Sequence, residues 1–307
     1  MNSFQRDVFI DCIYEYAKKN KDVFFISADF GAPALDKFRE NLPDQFIHSG
    51  ISEQHMIDLA SGLALDGNKV YVYAMAPFIT LRCLEQIKCS LAMMNLPVTI
   101  IAVGVGLGYA DAGPTHYLNE DISIMNSIVN LDISSPSDGN STKFLAQQTI
   151  ENPKLRLIRM ERNGLNDIYN EGYNFNNQGF ENLYKGKDIC ILSCGYMLHR
   201  AKEVYHLLIK ENIKISVYDV INIKPLSEKL INEISNYEKI ITIEEQTLHG
   251  GFGSIIVNNL STKGINNKKI KCLGLEDKYY FQNGGREFLL NESGLSSQKI
   301  ADVVKSL

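Results

Sequence analysis

Hydrophobic and polar positions along the chain alternate between two patterns. Runs of consecutive apolar residues predict buried strands, and apolar residues three and four positions apart predict helices. The clearest strand is 97–103, PVTIIAV, because it is rich in β-branched residues and precedes a glycine-rich stretch. The clearest helix has Ser52 as its N-cap and ends at Gly67, a residue that suits the position just past a helix. Further strands and helices to Met160 favour an α/β domain.

Two other helices in the first half follow from the same pattern. Ser3 is expected to cap a helix whose apolar face includes Phe9 and Ile13. Pro77 suits the first turn of a helix that the pattern extends to about Met94.

The alternation stops at residues 161 to about 187, which are rich in Asn, Gly and Tyr. This composition predicts an interdomain linker that ends in a hairpin. Strand and helix patterns resume at Asp188, so we expect two domains, 1–165 and 187–307, joined by a linker at 166–186. Each is expected to be α/β with a doubly wound, mostly parallel sheet. Such folds host many reactions, so function has to be argued from sites.

Composition limits the classes of function. The 307 residues suffice for two cores. A formal charge of −5, with 31 basic and 36 acidic residues and no basic run, excludes a mainly electrostatic nucleic-acid binder. No window of 18 uncharged apolar residues occurs and the start lacks a signal-peptide layout, so we expect a cytoplasmic protein without membrane contact. The six cysteines are scattered, and neither a zinc site nor a disulfide framework is expected.

Three segments at the ends of predicted strands carry unusual polar residues. Glu53 lies in the first turn of a mainly apolar helix, where spacing alone favours a carboxylate that only complements the helix dipole or completes a cap. The loop 104–121 contains Asp111 and His116, and a lone loop histidine is usually only solvated. Arg162 follows a strand near the end of the first domain. Ligands of α/β sheets bind beyond the carboxyl ends of the strands, which makes all three segments candidate sites.

Taken together, these segments resemble one enzyme family. The matching stretches are GISEQHMIDLASGLALDG (50–67), GPTHYLNED (113–121), IRMERNGL (158–165), IKPL (223–226) and EEQTLHGGFGS (244–254). In this order they are similar to the transketolase family, in its pyrimidine-binding and C-terminal domains, and to the same part of 1-deoxyxylulose-5-phosphate synthase.

The resemblance implies thiamine diphosphate as cofactor and gives Glu53 a catalytic role. In the family, a glutamate at this position holds the proton on the pyrimidine N1′, and the C2 carbanion of the cofactor acts as an electron sink. Phe78 and Arg82, expected one helical turn apart, match the residues that contact the pyrimidine ring. A core role for Phe78 is the alternative.

The resemblance also implies a substrate site. His116 matches a histidine that binds sugar hydroxyls and moves protons. Arg162 aligns with an arginine that binds the sugar phosphate. The family has an acidic residue directly before the glycine of GPTH, where this chain has Ala112; Asp111 lies one position earlier and is the candidate for that substrate contact.

The chain lacks the GDG motif with which the family holds the diphosphate and Mg²⁺. The strings LDG (65–67) and SDG (137–139) are predicted to be helix ends or turns. The resemblance therefore implies an N-terminal partner chain that carries GDG and Mg²⁺, in an α2β2 assembly with a dimer of this chain at its core. The C-terminal domain is expected to serve assembly, and a deletion from about residue 187 to weaken assembly before chemistry.

The expected reaction is transfer of a two-carbon ketol unit between sugar phosphates. Three alternatives remain open. A synthase forming a deoxyketose phosphate is favoured by Glu53-Gln54-His55, and a 2-oxo acid dehydrogenase β subunit has the same length and domains. A non-catalytic scaffold is the third, although it would need neither Glu53 nor His116.

Overall fold

Two compact units are built from the alternating strands and helices. The computed structural model describes residues 2–28 and 31–307. The first unit comprises residues up to 105 together with 124–173, and the second comprises 106–123 together with 174–307. Segment 106–123 therefore packs with the second half of the chain, although its place in the sequence lies inside the expected first domain.

The first unit is built around parallel strands that end at one edge. Its strands are β1 (Asn2–Ser3), β2 (Val23–Ala28), β3 (Phe46–Gly50), β4 (Lys69–Met75), β5 (Val98–Val103), β6 (Asp132–Ser134), β7 (Arg156–Met160) and β8 (Leu165–Asn166). The helices of this half of the chain are α1 (Gln5–Ala17), α2 (Asp36–Asn41), α3 (Glu53–Leu65), α4 (Ala76–Ile79), α5 (Leu84–Gln86), α6 (Asp121–Asn126) and α7 (Gly139–Glu151).

The strand order in this unit is β6-β7-β5-β4-β2-β3, and every pair is parallel. All residues of β5 are buried, as expected for a central strand of a parallel sheet. Ile100 pairs with Val72 on one side and with Leu157 on the other, which fixes the register of the core. The carboxyl ends of β3, β4 and β7 consequently lie at the same edge of the sheet.

The second unit has its own, mostly parallel sheet. Its strands are β9 (Glu181–Tyr184), β10 (Ile189–Ser193), β11 (Ser216–Asp219), β12 (Asn222–Lys224), β13 (Lys239–Thr247) and β14 (Lys269–Leu275). Its helices are α8 (Met197–Lys210), α9 (Glu228–Ile234), α10 (Phe252–Thr262), α11 (Gly285–Glu292) and α12 (Ser297–Ser306). The order is β14-β13-β10-β11-β9, in which only β9 runs antiparallel to its neighbour. Two mostly parallel α/β sheets, as predicted, are confirmed.

Three local predictions were wrong. Ser3 lies in β1, and the N-cap of α1 is Phe4, which makes no side-chain cap bond. The linker does not end in a hairpin, because β9 pairs with the distant strand β11. The helix from Pro77 to about Met94 is broken: α4 ends at Ile79 and the chain turns at 80–83 before α5 and a π-helical turn. At the break the Thr80 hydroxyl donates to the carbonyl of Ala76, a kind of bond that often bends helices.

One prediction about membranes has a direct counterpart in the fold. Among residues 2–28 and 31–307, no helix is long and apolar enough to cross a bilayer.

A buried aspartate organises the end of the first unit. Asp138, in the SDG string, is fully buried and N-caps α7, its Oδ1 accepting from the backbone N–H of Ser141 at 2.7 Å. Its Oδ2 accepts from the backbone N–H groups of Ile168 and Tyr169 at 2.8 and 2.9 Å. One carboxylate thus satisfies a helix terminus and a later segment of chain.

Replacing Asp138 with alanine should lower the free energy of unfolding by about 3 kcal/mol, because it removes a cap and leaves buried N–H groups unpaired. The control is Ser296→Ala, which removes a single cap bond to Lys299 at the accessible start of α12 and should lower it by about 1 kcal/mol or less. Urea denaturation of both variants measures the difference. Equal losses would contradict the structural role of Asp138.

Candidate active site

Glu53 is a buried carboxylate at the first residue of α3. The chain leaves β3 at Gly50, which has a φ of +70°, and Ser52 occupies the N-cap position. Ser52 is the N-cap of α3 as predicted, but its hydroxyl donates back to the carbonyl of Ser49 and makes no side-chain cap bond with the helix. Glu53 is 5% exposed. Its negative charge is favoured at this position by the positive end of the helix dipole.

The carboxylate of Glu53 is paired with Arg82. Nη1 of Arg82 donates to Oε2 of Glu53 at 2.7 Å. The same guanidinium lies over the ring of Phe78, with its central carbon 4.2 Å from the ring centroid. The side chain of Arg82 is 43% exposed. It therefore contacts solvent as well as the buried carboxylate of Glu53 and the half-buried ring of Phe78. The structure therefore brings together the three residues assigned to the pyrimidine ring.

Phe78 and Arg82 meet for a different reason than the sequence suggested. They were expected one turn apart on a long helix, but α4 ends at Ile79 and Arg82 lies in the turn that follows. The Arg82 carbonyl accepts from the side-chain amide of Gln54 at 3.2 Å. That bond ties the turn to the first turn of α3, which is the helix that presents Glu53.

Arg162 lies at the same edge of the first unit's sheet as these residues. It is half-buried and follows β7 by two positions, and β7 runs parallel to the strands that precede Glu53 and Phe78. Its backbone N–H donates to Oε1 of Glu161 at 2.7 Å, and the Glu161 N–H donates to the side chain of Gln5 at 2.8 Å. These bonds fix the backbone from which Arg162 projects.

Asp111 and His116 belong to the second compact unit. Asp111 is exposed in a single 3₁₀ turn at 110–112, and His116 is half-buried with its Nδ1 2.8 Å from the hydroxyl of Thr115. In the same loop, burial raises the pKa of the Glu120 carboxyl and the neighbouring Asp121 raises it further, while a bond from the backbone of Asn119 opposes the rise. The loop thus carries the imidazole of His116, an exposed carboxyl group on Asp111 and a partly buried carboxyl group on Glu120.

Two residues that hold this loop were not predicted from the sequence. Gln246 and Tyr280 bond directly to segment 106–123. Gln246 lies within EEQTLHGGFGS. That stretch resembles the family, but the resemblance did not indicate a role for this side chain. Tyr280 lies in a loop with no distinctive pattern. The turn at 249–251 joins β13 to α10.

The described part of the chain, 2–28 and 31–307, contains no group of three or more His, Cys, Asp or Glu side chains placed to hold a metal ion. In the two strings nearest to GDG, Asp66 is the C-cap of α3 and Asp138 is the N-cap of α7. Asp66 therefore lies at the end of one helix and Asp138 at the start of another.

Comparison with known proteins identifies the family. Residues 5–167 match the family model "Transketolase, pyrimidine binding domain", and residues 180–300 match "Transketolase, C-terminal domain". The chain belongs to the transketolase family. This family is thiamine diphosphate-dependent.

Two kinds of relative occur within the family. The chain is 30% identical to an apulose-4-phosphate transketolase subunit of Phocaeicola vulgatus, covering 98% of this chain and 97% of the relative. It is also 30% identical to 1-deoxy-D-xylulose-5-phosphate synthase of Aquifex aeolicus over 97% of this chain, but it spans only 47% of that longer protein. A solved structure described as a split gene transketolase, an inactive β4 tetramer, superposes with a TM-score of 0.87 at 25% identity, covering 99% of this chain and 97% of that one.

Cys83 provides a chemical test of the packing around Glu53. It is fully buried, and its thiol lies 3.2 Å from the carbonyl of Phe78. Burial raises the pKa of this thiol to about 12, and the negative charge of Glu53 adds to the rise. At pH 8 this thiol is therefore almost entirely protonated, and the thiolate is the reactive form.

We expect iodoacetamide at pH 8 to modify Cys89, which is exposed on the next turn, and to leave Cys83 intact in the folded chain. Peptide mass spectrometry after alkylation measures both sites, and the same reaction in denaturant is the control in which both should react. Equal labelling of the two cysteines in the folded protein would contradict the burial of Cys83 beside Glu53.

Proposed function

We propose that this chain is the C-terminal subunit of a split, thiamine diphosphate-dependent transketolase-like enzyme. It would transfer a two-carbon ketol unit between sugar phosphates, together with a partner chain that carries the GDG motif and binds the diphosphate and Mg²⁺. The observation that carries the proposal is the buried carboxylate of Glu53, paired with Arg82 beside Phe78 at the carboxyl edge of a parallel sheet.

The residues around Glu53 fit the pyrimidine half of the cofactor. Thiamine diphosphate supplies, when bound, an electron sink next to the carbonyl carbon whose bond is broken. A buried carboxylate is a strong acceptor for a ring N–H, so Glu53 is suited to hold the proton at the pyrimidine N1′. Phe78 offers an aromatic face to the same ring, and Arg82 balances the charge of Glu53.

The substrate residues are assigned by their chemistry. His116 is suited to donate to sugar hydroxyls and to exchange protons at the developing alcohol, because an imidazole ring has two nitrogens that can serve as donor and acceptor. Arg162 is suited to bind a phosphate through its planar guanidinium, and Asp111, exposed in its turn, to accept from an acceptor hydroxyl. Phosphorylated sugars do not cross membranes unaided, which supports a cytoplasmic enzyme.

A phosphorylated ketose is the substrate class supported by the two transketolase relatives of similar length, whose name gives apulose 4-phosphate. The synthase reaction is the second candidate, because the chain is equally identical to a synthase and carries Glu53-Gln54-His55. The two reactions differ in the donor, which is a ketose phosphate for the first and a 2-oxo acid for the second.

The need for a partner is supported by the same relatives. They are named as single subunits of transketolases, and the split-gene relative was solved as an inactive tetramer of β chains. In an α2β2 assembly each cofactor would lie between one chain of this type and one partner chain. The absence of GDG from this sequence agrees with that division.

Reconstitution tests the proposal. The purified chain should show no turnover of a ketose phosphate with an aldose acceptor, and addition of a GDG-containing partner should restore it. In that complex Glu53→Gln should lower kcat by about 10²- to 10⁴-fold, because the side chain can no longer act as a base. The matched control is Glu85→Gln, an exposed first-turn glutamate of α5, which should leave kcat unchanged.

Turnover measured with a coupled assay decides between the outcomes. Activity of the lone chain would contradict the split enzyme, and full activity of the Glu53→Gln complex would favour a non-catalytic role for this subunit. Turnover with pyruvate in place of the ketose phosphate would favour the synthase reaction.

A further inference from the structure

Segment 106–123, which carries His116, is closed on itself. The backbone N–H of Leu118 donates to the carbonyl of Gly106 at 2.8 Å, forming an antiparallel bridge across the base of the loop. Gly106 and Gly113 have φ values of +59° and +79°, which lie in the region that glycine tolerates best. The loop is therefore a defined structure whose position depends on what anchors its two ends.

Gln246 at the end of β13 anchors the stretch that follows His116. This side chain is 2% exposed. Its Oε1 accepts from the backbone N–H of Ile122 at 3.2 Å, and its Nε2 donates to the carbonyl of Leu118 at 3.3 Å. The adjacent backbone N–H of Thr247 donates to the carbonyl of Asn119 at 2.8 Å. Three bonds from two consecutive residues thus fix the backbone from 118 to 122.

Tyr117, the residue next to His116, is held by its side chain. Its hydroxyl accepts from the backbone N–H of Tyr280 at 2.9 Å, and both tyrosines are 2% exposed. The Tyr280 hydroxyl in turn accepts from the backbone N–H of Glu276 and from the hydroxyl of Ser293, each at 3.0 Å. The neighbour of His116 is therefore bonded to a buried tyrosine of the second unit, which is itself held by two further hydrogen bonds.

The start of the segment is held by shape and charge. Glu245 is 7% exposed and paired through both carboxylate oxygens with Arg286, whose guanidinium carbon lies 3.4 Å from the centroid of the Tyr196 ring. A Cβ on Gly106 would lie 2.4 Å from Oε2 of Glu245. The loop backbone at Gly106 thus packs directly against the Glu245–Arg286 ion pair, with no room for a side chain between them.

We infer that Gln246 and Tyr117 are positioning residues for the substrate reaction: they hold the His116 loop on the second unit so that the imidazole is ordered before substrate arrives. This inference rests on the substrate role proposed above for His116. It also changes the expectation that the C-terminal domain serves assembly alone, because a deletion from about residue 187 would remove every anchor described here for the loop.

Hydrogen exchange of the chain tests the anchoring without any assay of activity. Gln246→Ala should speed amide exchange in 106–123 and leave the strands of both sheets unchanged. Gln298→Ala, which removes only an exposed bond to Asp302, is the matched control and should change nothing in this segment. Tyr117→Phe keeps the ring and removes only the hydroxyl that accepts from Tyr280. If Gln246→Ala loses protection throughout the chain, faster exchange in 106–123 of Tyr117→Phe becomes the test of the anchoring.

Kinetics of the reconstituted complex test the positioning. If only about a tenth of the loops are ordered, KM for the sugar phosphate should rise about tenfold with little change in kcat, because substrate binding has to reorder the loop. Affinity for thiamine diphosphate should stay unchanged. Faster exchange together with this split between KM and kcat is the expected result.

Two results would overturn the inference while the proposed function stands: unchanged exchange in both variants, or faster exchange with the KM of the unsubstituted complex. Absence of turnover by the unsubstituted complex is a different outcome. It would overturn the proposed function, and with it the substrate role on which this inference rests.

Discussion

Parallel pairing of strands is the constraint on which the candidate site depends. In the first unit, β3, β4 and β7 all run in one direction, so the loops that leave them start from the same edge of the sheet. Glu53, Phe78 and Arg162 each follow one of these strands closely. Their proximity to one edge is a consequence of backbone hydrogen bonding among apolar strands, and it needs no further interaction to explain it.

The charge of Glu53 at this edge is compensated by its surroundings. A carboxylate that is 5% exposed is stable only with compensating positive potential. Glu53 obtains it from the start of α3 and from Arg82, whose guanidinium also contacts Phe78. Because Arg82 is partly exposed, water screens its charge, so the Glu53–Arg82 pair differs from an ion pair that is buried on both sides. The arrangement suits a carboxylate that accepts a ligand proton.

The sequence was sufficient for features set by local pattern and not for those set by distant contacts. The strand at 98–103 and the helix that ends before Gly67 follow from apolar runs and a glycine with positive φ. The break after Ile79 did not, because the apolar pattern that predicted a helix to about Met94 does not mark the turn at 80–83. Glu53 was found through a motif. The anchoring role of Gln246 was not predicted, because its partners lie more than 120 residues away in the chain.

The division of the chain shows the same limit. Family models and strand patterns follow the order of residues, and both give a first domain that ends near residue 165. Packing instead assigns 106–123 to the second unit. Hydrogen bonds from Gln246, Thr247 and Tyr280 explain that assignment, and none of them leaves a periodic signal.

Glu53 is proposed to serve the cofactor as a base through the pyrimidine ring. The most direct measurement is the exchange rate of the C2 proton of thiamine diphosphate with solvent deuterium, followed by quenched-flow NMR in the complex with the partner chain. We expect Glu53→Gln to slow this exchange by at least about a hundredfold while the cofactor stays bound. Exchange as fast as in the unsubstituted complex would contradict it.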